Sequence, residues 1–88
     1  MIKIVIAEDK PLILRSIKSK IESFSGEIEV VGEATNGQDA LSLIEELEPD
    51  IVFTDIRMPV MDGLQLVAKA REKYDELHFV IISGYDDF

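Results

Sequence analysis

The sequence predicts an α/β fold, a parallel β-sheet wound with helices on both faces. Short apolar runs rich in β-branched residues recur along the chain, stretches of helical periodicity separate them, and the links between are short. Strands alternating with helices in this way lie parallel, and right-handed crossovers set the hand of each unit.

The elements follow in order. Ile2 to Ala7 is a nearly continuous apolar run, the pattern of a strand buried on both faces. Asp9 is placed to cap a helix that has Pro11 in its first turn, where a missing N–H costs nothing. Leu12, Leu14, Ile17, Ile21 and Phe24 recur at roughly helical spacing, and Ser25-Gly26 breaks the helix. Ile28 to Glu33 forms a second strand. Thr35-Asn36-Gly37 turns into a second helix whose inward face is Ala40, Leu41, Leu43, Ile44 and Leu47. Glu48-Pro49-Asp50 ends that helix, because proline disfavours helical backbone at the residue before it. Ile51 to Thr54 is a third strand, and it delivers Asp55. A loop from Ile56 to Asp62 leads to a third helix from about Gly63 to Tyr74. Phe79 to Ile82 is a fourth strand, followed by Ser83-Gly84 and then Asp86 and Asp87, which suit the cap of a further helix.

Eighty-eight residues are enough for one small domain and too few for two. Without cysteine there are no disulfides, thiolate metal sites or thiol nucleophiles. The first apolar run is too short for a secretory signal, and nothing approaches a membrane span, so a soluble cytoplasmic protein is expected. Nine basic against 18 acidic residues give a net charge of −9. Such a chain repels nucleic-acid phosphates and suits a cation site better.

In open parallel sheets chemistry sits beyond the carboxyl ends of the strands. Glu8 and Asp9 follow the first strand, Asp55 the third and Ser83 the fourth. If the first and third strands are neighbours, three carboxylates converge. Like charges held that close destabilise the fold unless a cation enters, and hard oxygens in an open cluster suit Mg²⁺. A carboxylate beside such an ion can attack phosphorus and form an acyl phosphate.

The segment IVFTDIRMPVMDG, from Ile51 to Gly63, resembles the phosphoacceptor strand and loop of two-component response regulator receiver domains. The opening IVIAEDKPLI and the ending FVIISGYDDF match the same family in order and spacing. The resemblance implies a flavodoxin-like doubly wound sheet with strand order 2-1-3-4. It implies that Asp55 accepts a phosphoryl group from a sensor histidine kinase. It further implies Mg²⁺ held by Asp9, Glu8, Asp55 and the backbone carbonyl of Arg57, and a Ser83 hydroxyl that bonds the phosphoryl group. The style of DIRMP and SGYDDF resembles receivers fused to AraC-type DNA-binding modules. An output domain, with transcription as the controlled process, is therefore an expected partner outside these residues.

The family pattern also carries a fifth strand, a lysine that pairs with the phosphoryl group and an aromatic switch residue, none of which has a counterpart here. The chain is therefore expected to be an incomplete receiver that phosphorylates poorly and self-associates through the exposed edge of its fourth strand. Two other functions compete with the receiver reading: a phosphorylation-inert binding or scaffold module, and a phosphohydrolase using Asp55 as nucleophile. Arg57 stands where such hydrolases place their second acid, which weighs against turnover.

Overall fold

The computed structural model describes residues 1–24 and 26–82. The expectations for Ser83, Asp86 and Asp87 fall outside them. Among the described residues the order is β1 (Ile2–Ala7), α1 (Pro11–Glu22), β2 (Ile28–Ala34), α2 (Gly37–Leu47), β3 (Ile51–Thr54), α3 (Gly63–Arg71) and β4 (His78–Ile81). The strands form one parallel sheet in the order β2-β1-β3-β4, as the resemblance implies.

The single most useful pairing is β1 with β3. Their register sets Ala7 beside Thr54, so the residues that follow, Glu8 and Asp55, leave the sheet at the same level. Ala7 also pairs with Ala34 of β2, after a bulge that leaves Val31 between the partners of Ile4 and Val5.

The two faces have separate cores, as expected for a doubly wound sheet. On one, Ile4 and Ile6 of β1 pack against Ile17 and Ile21 of α1. On the other, Val5, Ala7 and Val52 pack against Ala40 and Ile44 of α2 and against Leu66 and Ala70 of α3. Period-two alternation along β1 assigns its side chains to these two cores. Truncating a fully buried residue such as Ile44 or Leu66 to alanine would cost about 2–5 kcal/mol.

The inward face expected for α2 holds: Ala40 and Ile44 are buried, with Leu41, Leu43 and Leu47 packed around them. The face expected for α1 needs correction, because Leu12 and Phe24 are largely exposed. Leu12 is five residues from Ile17, well round the helix from the buried stripe, and Phe24 lies beyond the last helical residue. Asp9 does not cap α1 either. The N-cap residue is Lys10, without a side-chain cap bond, and Pro11 opens the helix.

The third helix is shorter than expected. After Arg71 the Glu72 and Lys73 N–H groups bond three residues back, to Lys69 and Ala70, so the last turn tightens. The Arg71 guanidinium then donates to the carbonyls of Tyr74, Asp75 and Leu77, and its carbon lies 5.2 Å from the Phe79 ring centroid. This clasp leads the chain into β4, which begins one residue earlier than the apolar run suggested.

Candidate functional site: an acidic cluster at the strand tips

Glu8, Asp9 and Asp55 come together. Each offers a carboxylate oxygen, and the three oxygens lie within 4.8 Å of one another. Backbone bonds fix the arrangement: Asp55 N–H donates to the Ala7 carbonyl at 2.9 Å, and Glu8 N–H donates to the Ala34 carbonyl at 2.9 Å. The cluster is thus an extension of sheet hydrogen bonding past the ends of β1, β2 and β3.

Burial distinguishes Glu8 and Asp55 from the other acids. Glu8 is fully buried and Asp55 is 5% exposed, while Asp9 is half-buried. The Lys10 N–H donates to Glu8 Oε2 at 3.0 Å, and the Ile56 N–H donates to Asp55 Oδ1 at 2.7 Å. Glu8 Oε1 and Asp9 Oδ1 are sealed from solvent with no hydrogen-bond donor among the described residues. Asp9 Oδ1 has the Lys10 ammonium 3.7 Å away. Burial above all pushes the Glu8 carboxyl from its ordinary 4.5 up to about 7; the Lys10 N–H opposes this, and the charges of Asp55 and Asp9 add to it.

Crowded carboxylate oxygens lacking donors are costly in isolation and favourable around a hard divalent cation. The side chains present therefore fit such an ion. Beside them opens a cleft of about 510 Å³ lined by Asp9, Lys10, Ile56, Arg57, Met58 and Asp62. Arg57 itself is exposed, and Met58 turns inward and is buried in the core. Asp62 serves the fold: its side chain accepts from the Gln65 N–H, and the Gln65 side chain accepts from the Asp62 N–H, a capping box for α3.

Three contributors were not evident in the sequence. Nothing in the sequence singles out Lys10, yet its backbone N–H orients Glu8. Gly63 is forced by close approach, since a Cβ there would collide with the Asp55 carbonyl oxygen. Gly37 is forced in the same way by Met61. The available signal was a glycine at the first position of each helix, where alanine has the higher propensity.

The family model for the response regulator receiver domain matches residues 4–88. The chain belongs to this family. It is 39% identical over 85 residues to the uncharacterized transcriptional regulatory protein YhcZ of Bacillus subtilis, covering 97% of this chain and 39% of that protein. It is 39% identical over 80 residues to the nitrate/nitrite response regulator NarL of Escherichia coli, covering 91% of this chain and 37% of the relative. The chain thus spans about two fifths of these relatives' length. Among solved structures, the receiver domain of AraT, a response regulator from Geobacillus stearothermophilus, aligns with a TM-score of 0.87 at 42% identity, over 98% of this chain and 67% of that one. A LuxR-family DNA-binding response regulator from Staphylococcus aureus aligns with a TM-score of 0.85 at 31% identity, over all of this receiver and 75% of that chain. The receiver's strand order and helix placement are those of the family, and no helix among the described residues is long and apolar enough to cross a membrane.

Proposed function

We propose that this receiver accepts a phosphoryl group on Asp55 from a phosphohistidine of a sensor histidine kinase, in the cytoplasm, and relays the change to an output module. The observation that carries the reading is the convergence of Glu8, Asp9 and Asp55 within 4.8 Å, with Glu8 Oε1 and Asp9 Oδ1 lacking donors among the described residues. Glu8, Asp9, Asp55 and the Arg57 carbonyl would hold Mg²⁺. When bound, the ion supplies positive charge that offsets the phosphoryl oxygens. The residues of the chain do the rest. The Ile56 N–H at 2.7 Å holds Asp55 Oδ1 and fixes the carboxyl group for in-line attack. The bond from phosphorus to the kinase's imidazole nitrogen breaks as the bond to Asp55 oxygen forms; protonated on its other ring nitrogen, the imidazole leaves as neutral histidine and Asp55 becomes an acyl phosphate. Ser83 is assigned the hydroxyl that bonds the phosphoryl oxygens. Transcriptional output is supported by relatives named as transcriptional regulators.

The test uses a small acyl phosphate as donor, with mass mapping of the labelled residue. Slow labelling is expected, confined to Asp55, dependent on Mg²⁺ and absent in Asp55→Asn. Labelling elsewhere, or equal labelling with Mg²⁺ chelated, would contradict the proposal. Continuous phosphate release from a generic ester would favour a hydrolase instead.

A further inference from the structure

The loop between β3 and α3 carries Arg57 and begins at Asp55, so its position decides whether the site is assembled. Its base is closed by the Gly63 N–H donating to the Ile56 carbonyl at 2.8 Å. Within it, the Met61 N–H donates to the Pro59 carbonyl at 2.7 Å, around a left-handed Val60 with φ 69°. A β-branched residue adopts that conformation only when its surroundings enforce it. Past Asp55, whose own N–H bonds the Ala7 carbonyl of β1, a single backbone hydrogen bond among the described residues ties this loop to an element other than β3 and α3: the Gly37 N–H donates to the Met61 carbonyl at 2.8 Å.

Gly37 is the first residue of α2, buried, and capped by Asn36, whose side chain accepts from the Asp39 N–H at 2.8 Å. A Cβ on Gly37 would collide with the Met61 carbonyl oxygen and would lie 2.9 Å from both the Met61 carbonyl carbon and its Cβ. These are backbone and near-backbone atoms of a tethered loop, so they cannot swing aside as a side-chain tip could. Glycine is required for the close approach.

We infer that Gly37 is a positioning residue for the metal and phosphoryl site: through the Met61 carbonyl, the start of α2 sets the height of the loop that presents Arg57 beside Asp55. The inference rests on the function proposed above. On this inference an ion bound at the Arg57 end of the loop favours the Gly37–Met61 contact, and by linkage loosening that contact weakens ion binding by the same factor. Contacts that orient metal ligands without touching the metal are typically worth 10- to 100-fold in affinity.

Two measurements on the whole chain test this. In the first, Mg²⁺ affinity is titrated for the wild type, for Gly37→Ala and for Ile21→Val. The last is a core variant on the opposite face, chosen to lower stability without touching the loop. At a temperature where all three are folded, Gly37→Ala is expected to bind Mg²⁺ about tenfold more weakly, with Ile21→Val unchanged. Equal affinities for Gly37→Ala and wild type would overturn the inference. The second measurement needs no variant and so survives a misfolded Gly37→Ala. Amide exchange at the Gly37 N–H is expected to slow several-fold on Mg²⁺ saturation, while that of exposed Gly26 does not change. Unaltered exchange at Gly37 under saturating Mg²⁺ would overturn it. Failure of the wild type to bind Mg²⁺ at all would instead remove the function on which the inference depends.

Discussion

Both ends of the sheet are rich in acids, and only one of them has the makings of a chemical site. At the end where the strands begin, Glu48, Asp50, Asp75 and Glu76 line a cleft of about 630 Å³, larger than the one beside Asp55. Those four acids are exposed, so water satisfies them. Asp50 is also used by the fold. Its carboxylate accepts from the Lys3 N–H at 2.8 Å, its own N–H donates to the Lys3 carbonyl, and its carbonyl accepts from the His78 N–H. At the other end Glu8 and Asp55 are buried, and Glu8 Oε1 and Asp9 Oδ1 have no donor among the described residues. Cleft size favours the first end and the number of acids does not separate the two. The informative quantity is desolvated negative charge without donors.

Substitutions can separate the two ends. The largest effect is expected from Asp9→Ala, which removes a cluster oxygen. Mg²⁺ affinity should fall by at least tenfold in a calorimetric titration, since a ligand counts for no less than the groups that orient it.

Glu8→Gln comes next, because it keeps the acceptor for the Lys10 N–H and removes the buried charge. In the Mg²⁺-free chain Glu8 titrates near 7 when folded and near 4.5 when unfolded. Between those values the folded state holds more protons, so stability falls as pH rises through the window and the full penalty is present above 7. Urea unfolding without Mg²⁺ should show that decline in the wild type. Glu8→Gln should flatten it and be the more stable protein at pH 8, while binding Mg²⁺ more weakly.

The sheet's two edges invite a parallel comparison. The β2 edge carries exposed Glu29 and Glu33, the latter paired with Lys18 at 2.8 Å, and charge of this kind discourages pairing with another chain. On β4, Val80 and Ile81 are both 40% exposed, and among the described residues no strand pairs with the side of β4 facing away from β3. Self-association is accordingly expected at β4. Val80→Lys should shift the concentration-dependent mass seen by light scattering toward the monomer, and an unchanged mass would place the contact elsewhere.

The smallest effect belongs to the opposite end. Asp50→Ala should cost about 1 kcal/mol in denaturant unfolding through the lost bond to Lys3. It should leave Mg²⁺ affinity within twofold of the wild type.

How much of this was legible without coordinates depended on the kind of signal. The β1 and β3 runs declare themselves through unbroken apolar sequence, and Asp55 through its place directly after one of them. Helix faces are less legible in the sequence. Leu12 and Phe24 have the right chemistry and the wrong angle or position, which an approximate count of spacing does not resolve. Asp9 looked like a cap because capping and metal binding ask for the same short acid after a strand. The fold draws Asp9 toward Asp55 and leaves Lys10 at the N-cap position. The Gly37–Met61 approach was invisible because it joins segments distant in sequence and leaves no mark except a glycine. The Arg71 clasp was hidden likewise, its acceptors being carbonyls that every residue carries.

Residue-resolved NMR during a Mg²⁺ titration tests the central claim most directly. One saturable event is expected, with the largest amide shifts at Glu8, Asp9, Asp55, Ile56 and Arg57 and small ones at Asp50, Asp75 and Glu76. Shifts concentrated at the Asp50 end, or spread evenly over the acidic surface without saturation, would contradict the assignment of the strand tips as the site.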